Sequence, residues 1–154
     1  MKKLIYALTM ASILVIGGCS SWTEKWGNVP MIGVIETDLL NLHNAARNEP
    51  LVLDEACKKA AQDQANWMAK HNMLVHDRPL SYKDKRVSDR LQKKWTVIGE
   101  NIAQGQETPK GVFGAWMNSR GHRSNIKNYR FKYVGFGVAT SSSGYKYWCV
   151  VFSD

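Results

Sequence analysis

The spacing of apolar residues divides the chain into helical and strand-like stretches. From Thr37 onward, Leu39, Leu40 and His43 fall on one side of a helical repeat that ends before Pro50, with Thr37 as the capping residue at its start. A second helix is expected from Asp54. There "DEACKKAAQDQANWMAKHN" puts Cys57, Ala61, Gln64, Ala65 and Met68 at three- and four-residue spacing, and Asn72 suits a left-handed stop. "SYKDKRVSDRLQKK" reads as a shorter, more polar helix carrying Val87 and Leu91. Thr108 and Pro109 open the last long helix, with proline at its tolerated first position, and Val112, Phe113, Trp116 and Met117 form its apolar face. Gly121 is its expected stop, which leaves His122 in a corner just beyond.

Near the C-terminus the period changes from helical to alternating. "YRFKYVGFGVAT" and "YKYWCVVFSD" are rich in aromatic and β-branched residues and are separated by "SSSG", so they predict an antiparallel hairpin. In the second strand Tyr145, Tyr147, Cys149 and Val151 share one face, while Trp148, Val150 and Phe152 share the other. A strand apolar on both faces needs cover on both. The expected fold is therefore α+β, a three-layer α-β-α sandwich around a small antiparallel sheet.

The first residues follow a different logic. Lys2 and Lys3 precede an apolar run from Leu4 to Ile16, shorter than the roughly 20 residues that span a bilayer. "IGGCS" then resembles the lipobox of bacterial lipoprotein precursors. Residues 1–18 read as a lipoprotein signal peptide, Cys19 as the lipidation site, 19–36 as a lipidated tether and 37–154 as the folded domain. A plain signal peptide cut elsewhere, or an uncleaved anchor, is the alternative. Trp22 and Trp26 of the tether dock either on the domain or at the membrane interface. Ser20 after the cysteine resembles outer-membrane sorting in enteric-type bacteria. The expected location is the bacterial cell envelope, lipid-anchored and extracytoplasmic, in the outer membrane if the host is Gram-negative.

Charge and cysteine content refine this picture. The chain of 154 residues carries a formal charge of +8. Without Lys2 and Lys3, 19 basic residues face 13 acidic ones, a net +6. The basic residues are scattered and no aromatic-interleaved stripe accompanies them, so a nucleic-acid partner is excluded in favour of a solvated face or weak attraction to anionic envelope polymers and lipids. With Cys19 given to lipid, Cys57 and Cys149 remain as an even pair, and an oxidising compartment makes a disulfide the expectation. Such a bridge would contribute at most roughly 4–5 kcal/mol. Two separately buried thiols are the alternative.

Read in order, "LLNLHNAARNE", "LVLDEACKKAAQDQANWMA", "VHD", "IGENIAQG", "AWMNSRGHRSNI", "VGFGVA" and "YWCVVFSD" resemble the CAP superfamily, the SCP-like domain of cysteine-rich secretory, antigen 5 and pathogenesis-related 1 proteins, in its bacterial secreted form. The resemblance covers about residues 37–154 and implies the same α-β-α fold. It also implies that His76, Glu100 and His122 face one another across a central cleft. Such a set provides three ligands for a divalent metal, zinc first, or groups that move protons near neutral pH. Glu100 alternatively accepts backbone N–H bonds in a tight turn. Where many eukaryotic members carry a second cleft glutamate this chain has Ser119, which weakens a metal site and removes a general base.

Asn101 and Asn125 read as loop-fixing amides, His43 as a packing residue, His71 as a helix-end residue, and Trp116 and Trp148 as core. No GxSxG, HExxH or Gly-rich phosphate loop is present. The function implied is a membrane-anchored binding or interaction module whose cleft takes a lipid, peptide or glycan ligand or a divalent metal, and catalysis is not expected. The rivals are a metal-dependent hydrolase using His76, Glu100 and His122, and a structural envelope protein with a vestigial cleft.

Overall fold

A computed structural model describes residues 31–154; the expected leader, the expected lipidation site Cys19 and the expected tether up to residue 30 lie outside the described residues. Helix α1 spans Met31–Ala45. Thr37 is therefore inside it and does not cap it, its hydroxyl donating to the Gly33 carbonyl one turn back. The apolar stripe extends upstream of Thr37, which explains the earlier start: Ile35 packs on the core, and Glu36 pairs with Lys58 at 2.9 Å. The last six residues assigned to the tether thus belong to this helix.

A two-residue strand β1, Val52–Leu53, follows, and then α2, Glu55–His71. Here both predicted ends hold. The Asp54 carboxylate accepts from the Cys57 N–H, and Asn72 stops the helix at φ 51°. The polar stretch after it forms only one turn, α3, Val87–Arg90. Its predicted remainder is a loop, because Arg78 gathers it: the Arg78 N–H donates to the Lys85 carbonyl at 2.9 Å, and the buried Arg78 guanidinium pairs with Asp84 and, at 2.6 Å, with Asp63.

Strand β2, Ile98–Gln104, precedes α4, Pro109–Asn118, whose cap Thr108 accepts from the Gly111 N–H. The helix breaks at Ser119, and a second helix, α5, Arg120–Lys127, begins at once. Gly121 is not the stop. His122 occupies the first turn of α5. Strands β3, Tyr133–Thr140, and β4, Lys146–Ser153, form the predicted hairpin.

The sheet order is β1-β3-β4-β2. Pairing is antiparallel except between β1 and β3, so the sheet is mixed and not wholly antiparallel. The chain leaves β1 into α2, which crosses the sheet face, and such a crossover returns the next neighbour in parallel. On one face α2 covers Ile102, Tyr147, Cys149 and Val151. On the other, α1, α4 and α5 cover Phe136, Trp148, Val150 and Phe152. This is the three-layer sandwich, with both faces of β4 buried. The close seat of α2 depends on two glycines of β3: a Cβ on Gly135 would lie 1.9 Å from Lys58 N, and one on Gly137 would lie 2.5 Å from the Ala61 carbonyl carbon.

That seating also overturns the disulfide, since both cysteines are free and buried. Cys57 lies over the Ser153 end of β4, its sulfur 3.4 Å from the Ser153 hydroxyl. Cys149 is four residues from Ser153 along the same strand, and its sulfur reaches Glu100 Oε2 at 3.5 Å. The two sulfurs thus face different partners, Ser153 and Glu100, and not each other. The two thiols share a face but not a level.

Candidate functional site

β2 is an edge strand, and its alternation sends Glu100 and Ile102 toward the α2 face and Asn101 and Ala103 toward the opposite one. His76, on the loop after α2, and His122, at the start of α5, therefore reach the site from opposite faces of the sheet. Glu100 sits on this strand, not in a tight turn, and is buried.

The Glu100 carboxylate is fully engaged. Oε1 accepts from His76 Nδ1 at 2.9 Å, and Oε2 accepts from Arg90 Nη2 at 2.5 Å and from the Cys149 thiol. The Arg90 and Glu100 side chains are 1% and 3% exposed, so this is a buried ion pair in which each charge compensates the other. His76, by contrast, is 52% exposed. With Nδ1 donating to the carboxylate, its Nε2 presents a lone pair outward.

A second network places the His76 loop. Gln64, buried on α2, donates from its amide to the Val75 carbonyl at 2.7 Å and to the His76 carbonyl at 3.3 Å. It also accepts from Arg78 Nε at 2.9 Å. On the other side Asn101 donates to the His122 carbonyl at 3.1 Å, and Asn125 donates to Asn101 Oδ1 at 2.8 Å. These amides tie β2 to α5 beneath His122, and both stand in regular elements and not in the loops expected of them. Partial burial holds the His122 imidazole below its ordinary pKa, and the neighbouring His76 lowers it further. Ser119 lies at the α4–α5 junction and makes no capping bond.

Glu100 does not fit a metal-ligand role. Both oxygens already have partners, and the Arg90 guanidinium would stand beside any cation it bound. Among the described residues no three His, Cys, Asp or Glu side chains are grouped to hold a metal ion. Cys149 is not poised as a nucleophile: burial, and then the Glu100 charge, push its thiol well above its ordinary range.

The other singled-out residues lie elsewhere. His43 is fully buried among Phe113, Trp116, Phe136 and Phe152. His71 stacks on Trp67 and meets the Tyr82 hydroxyl at 3.1 Å, a tertiary contact that the helix dipole alone does not supply. Trp116 and Trp148 are core, as expected. A groove of about 590 Å³ between the second half of α1 and Thr108–Lys110 contains none of His76, Glu100 or His122. Sequence reading missed Arg90 and Arg78. One signal pointed to Arg78: Gln64, a polar residue on an otherwise apolar stripe, requires a buried partner.

Residues 40–152 match the cysteine-rich secretory protein family, CAP. The chain is 35% identical over 116 residues to the uncharacterized protein YkwD of Bacillus subtilis, covering 73% of this chain and 45% of that protein. It is 28% identical to an extracellular protein with an SCP domain from Bacillus anthracis, at a TM-score of 0.67, covering 80% of this chain and 41% of that one. An outer surface protein of Borrelia burgdorferi shares the fold at 19% identity and a TM-score of 0.64, over 79% of this chain and 90% of that one. This chain spans less than half the length of the curated relatives it matches.

Proposed function

The chain belongs to the cysteine-rich secretory protein (CAP) family, and from that premise we propose that it is an extracytoplasmic binding module of the bacterial envelope, held at a membrane by lipid on Cys19, with the cleft between His76 and His122 as its ligand site. The extracellular and surface character of the Bacillus anthracis and Borrelia burgdorferi proteins supports the location. No helix among the described residues is long and apolar enough to cross a membrane.

The observation that carries the binding reading is the commitment of Glu100 to Arg90 and His76. A carboxylate neutralised by a buried guanidinium orients an imidazole and is not a free acid or base. What the cleft then offers are hydrogen-bond acceptors on two imidazoles, with no activated nucleophile beside them. Acceptors of that kind suit a ligand rich in donors, such as a glycan or a peptide.

Native mass spectrometry of the protein purified from its own host tests this. A retained glycan or peptide that is lost in His76→Ala and His122→Ala, with the melting temperature unchanged, is the expected result. Metal-dependent hydrolysis abolished by the same substitutions would overturn the binding reading in favour of an enzyme. Imidazole resonances unmoved by any envelope glycan or peptide would leave the cleft without a role.

A further inference from the structure

The direction of α1 and α2 places several features at one end of the molecule. Cys57 and Lys58 lie over Gly135 and Ala61 over Gly137, so α2 runs toward the β3–β4 turn. It ends there, with the Ser143 hydroxyl donating to Asn72 Oδ1 at 3.0 Å. α1 runs the opposite way. Ile35 lies against Val138, and His43 against Phe136 and Phe152. α1 therefore begins at the end where α2 and the β3–β4 turn meet.

That end is apolar and basic. Met73 and Leu74, just past α2, are 42% and 45% exposed, and Tyr145 in the β3–β4 turn is 55% exposed. Leu80 is 86% exposed at the tip of a turn closed by Tyr82 N–H donating to the Pro79 carbonyl. Tyr82 fastens this turn to the last turns of α2 through Trp67 and His71. Lys70 and Lys83 are exposed and form no salt bridge among the described residues. Of the acids nearby, Glu107 pairs with Lys146, and Asp63 and Asp84 share the single charge of Arg78, so the two free lysines outweigh one uncompensated acid.

We propose that this end docks flat on an anionic phospholipid bilayer, with Leu80, Met73 and Leu74 entering the headgroup layer and Lys70 and Lys83 facing lipid phosphates. The inference rests on the anchored reading above, because a tether entering at this end brings it to the membrane first. Exposed apolar side chains flanked by lysines match an interface that is apolar beneath and negatively charged above. Docking would turn the opposite end, where Tyr129 is 72% exposed, toward the solvent.

The test uses the full chain carrying Cys19→Ser, in which buried Cys57 and Cys149 resist labelling, with an environment-sensitive fluorophore on Leu80→Cys or, separately, on Tyr129→Cys. Phosphatidylcholine vesicles with and without phosphatidylglycerol are added. The Leu80 label should shift to the blue only with phosphatidylglycerol, while the Tyr129 label stays in water. Lys83→Ala should weaken the response about fivefold, and raised salt should remove it.

A Leu80 label that remains in water on these vesicles overturns the proposal. So does an equal response at both positions, or a vesicle-independent shift accompanied by a doubled mass, which would make the face a contact with a second copy. Membrane fractionation of the wild-type chain against Cys19→Ser separates the two readings. Unchanged fractionation with a Leu80 response removes the anchor and keeps the docking face; loss of anchoring without a Leu80 response does the reverse.

Discussion

Protonation of His43 should be a principal source of acid lability in this domain. Its ring is fully buried, with Nδ1 donating to the Leu39 carbonyl at 2.7 Å and Nε2 without a partner. Burial, opposed in part by the Leu39 bond and reinforced by the Arg47 charge, lowers its pKa to about 4. The unfolded chain binds the proton near pH 6.5. A histidine whose folded pKa is depressed contributes stability that is fully present above about 6.5 and is lost as pH falls toward 4. Linkage puts the loss at about 2 kcal/mol between about pH 7 and about pH 5, and at about 3 kcal/mol by about pH 4.

Urea unfolding of the wild type and of His43→Leu at both pH values isolates this effect, because every other titrating group cancels in the difference. His43→Leu should be within about 1.5 kcal/mol of the wild type near neutrality, one hydrogen bond being exchanged for a better-matched apolar site. At about pH 5 it should be the more resistant by about 2 kcal/mol relative to that starting point. A variant that loses stability with acid in parallel with the wild type would refute the reasoning, and would mean that the ring is solvated or charged in its native pocket.

Gly135→Ala should destabilise the fold by about 3 kcal/mol or more, since the added carbon meets helix backbone at 1.9 Å, whereas Gly114→Ala, which meets nothing within 4 Å, should stabilise α4 by about 0.5–1 kcal/mol; thermal melts of the pair check both. Arg90→Met leaves the Glu100 charge buried and uncompensated and should cost about 3–5 kcal/mol, part of which Arg90→Met with Glu100→Gln restores in a double-mutant cycle. Arg47 donates to the Ile126, Asn128 and Phe131 carbonyls; a lysine cannot span that fan, so Arg47→Lys should cost about 2 kcal/mol by urea unfolding. The His122 imidazole should titrate below its ordinary range by NMR and move back toward it in His76→Gln; an unmoved His122 would show that the two rings do not sense each other. Cys57 and Cys149 should resist alkylation in the native protein and react after denaturation without any reductant, and a need for reductant would reinstate the bridge.

Much of the fold was legible because local chemistry controls it. Asp54 and Asn72 cap α2, Thr108 and Pro109 open α4, and the two apolar faces of β4 required two covering layers. The break at Ser119 and the helix after it were not legible, because Gly121, Ser124 and Asn125 are poor helix formers and α5 is held by tertiary bonds from Asn101 to the His122 carbonyl and from Asn125 to Asn101. The site was half visible. Resemblance located His76, Glu100 and His122, but the partners that define their chemistry come from separate places in the chain.

Periodicity and capping by themselves determined α2, α4 and the β3–β4 hairpin and which face of each is apolar, because those signals act over one or two turns. Only the tertiary structure decided the level at which α2 crosses the sheet, through the backbone contact at Gly135 and Gly137. That single offset separates Cys57 from Cys149. It also sets Gln64 beneath the His76 loop and, with the turn of α3, brings Arg90 to Glu100. Pairings between distant residues depend on that offset in ångströms, and a one-dimensional pattern carries no record of it.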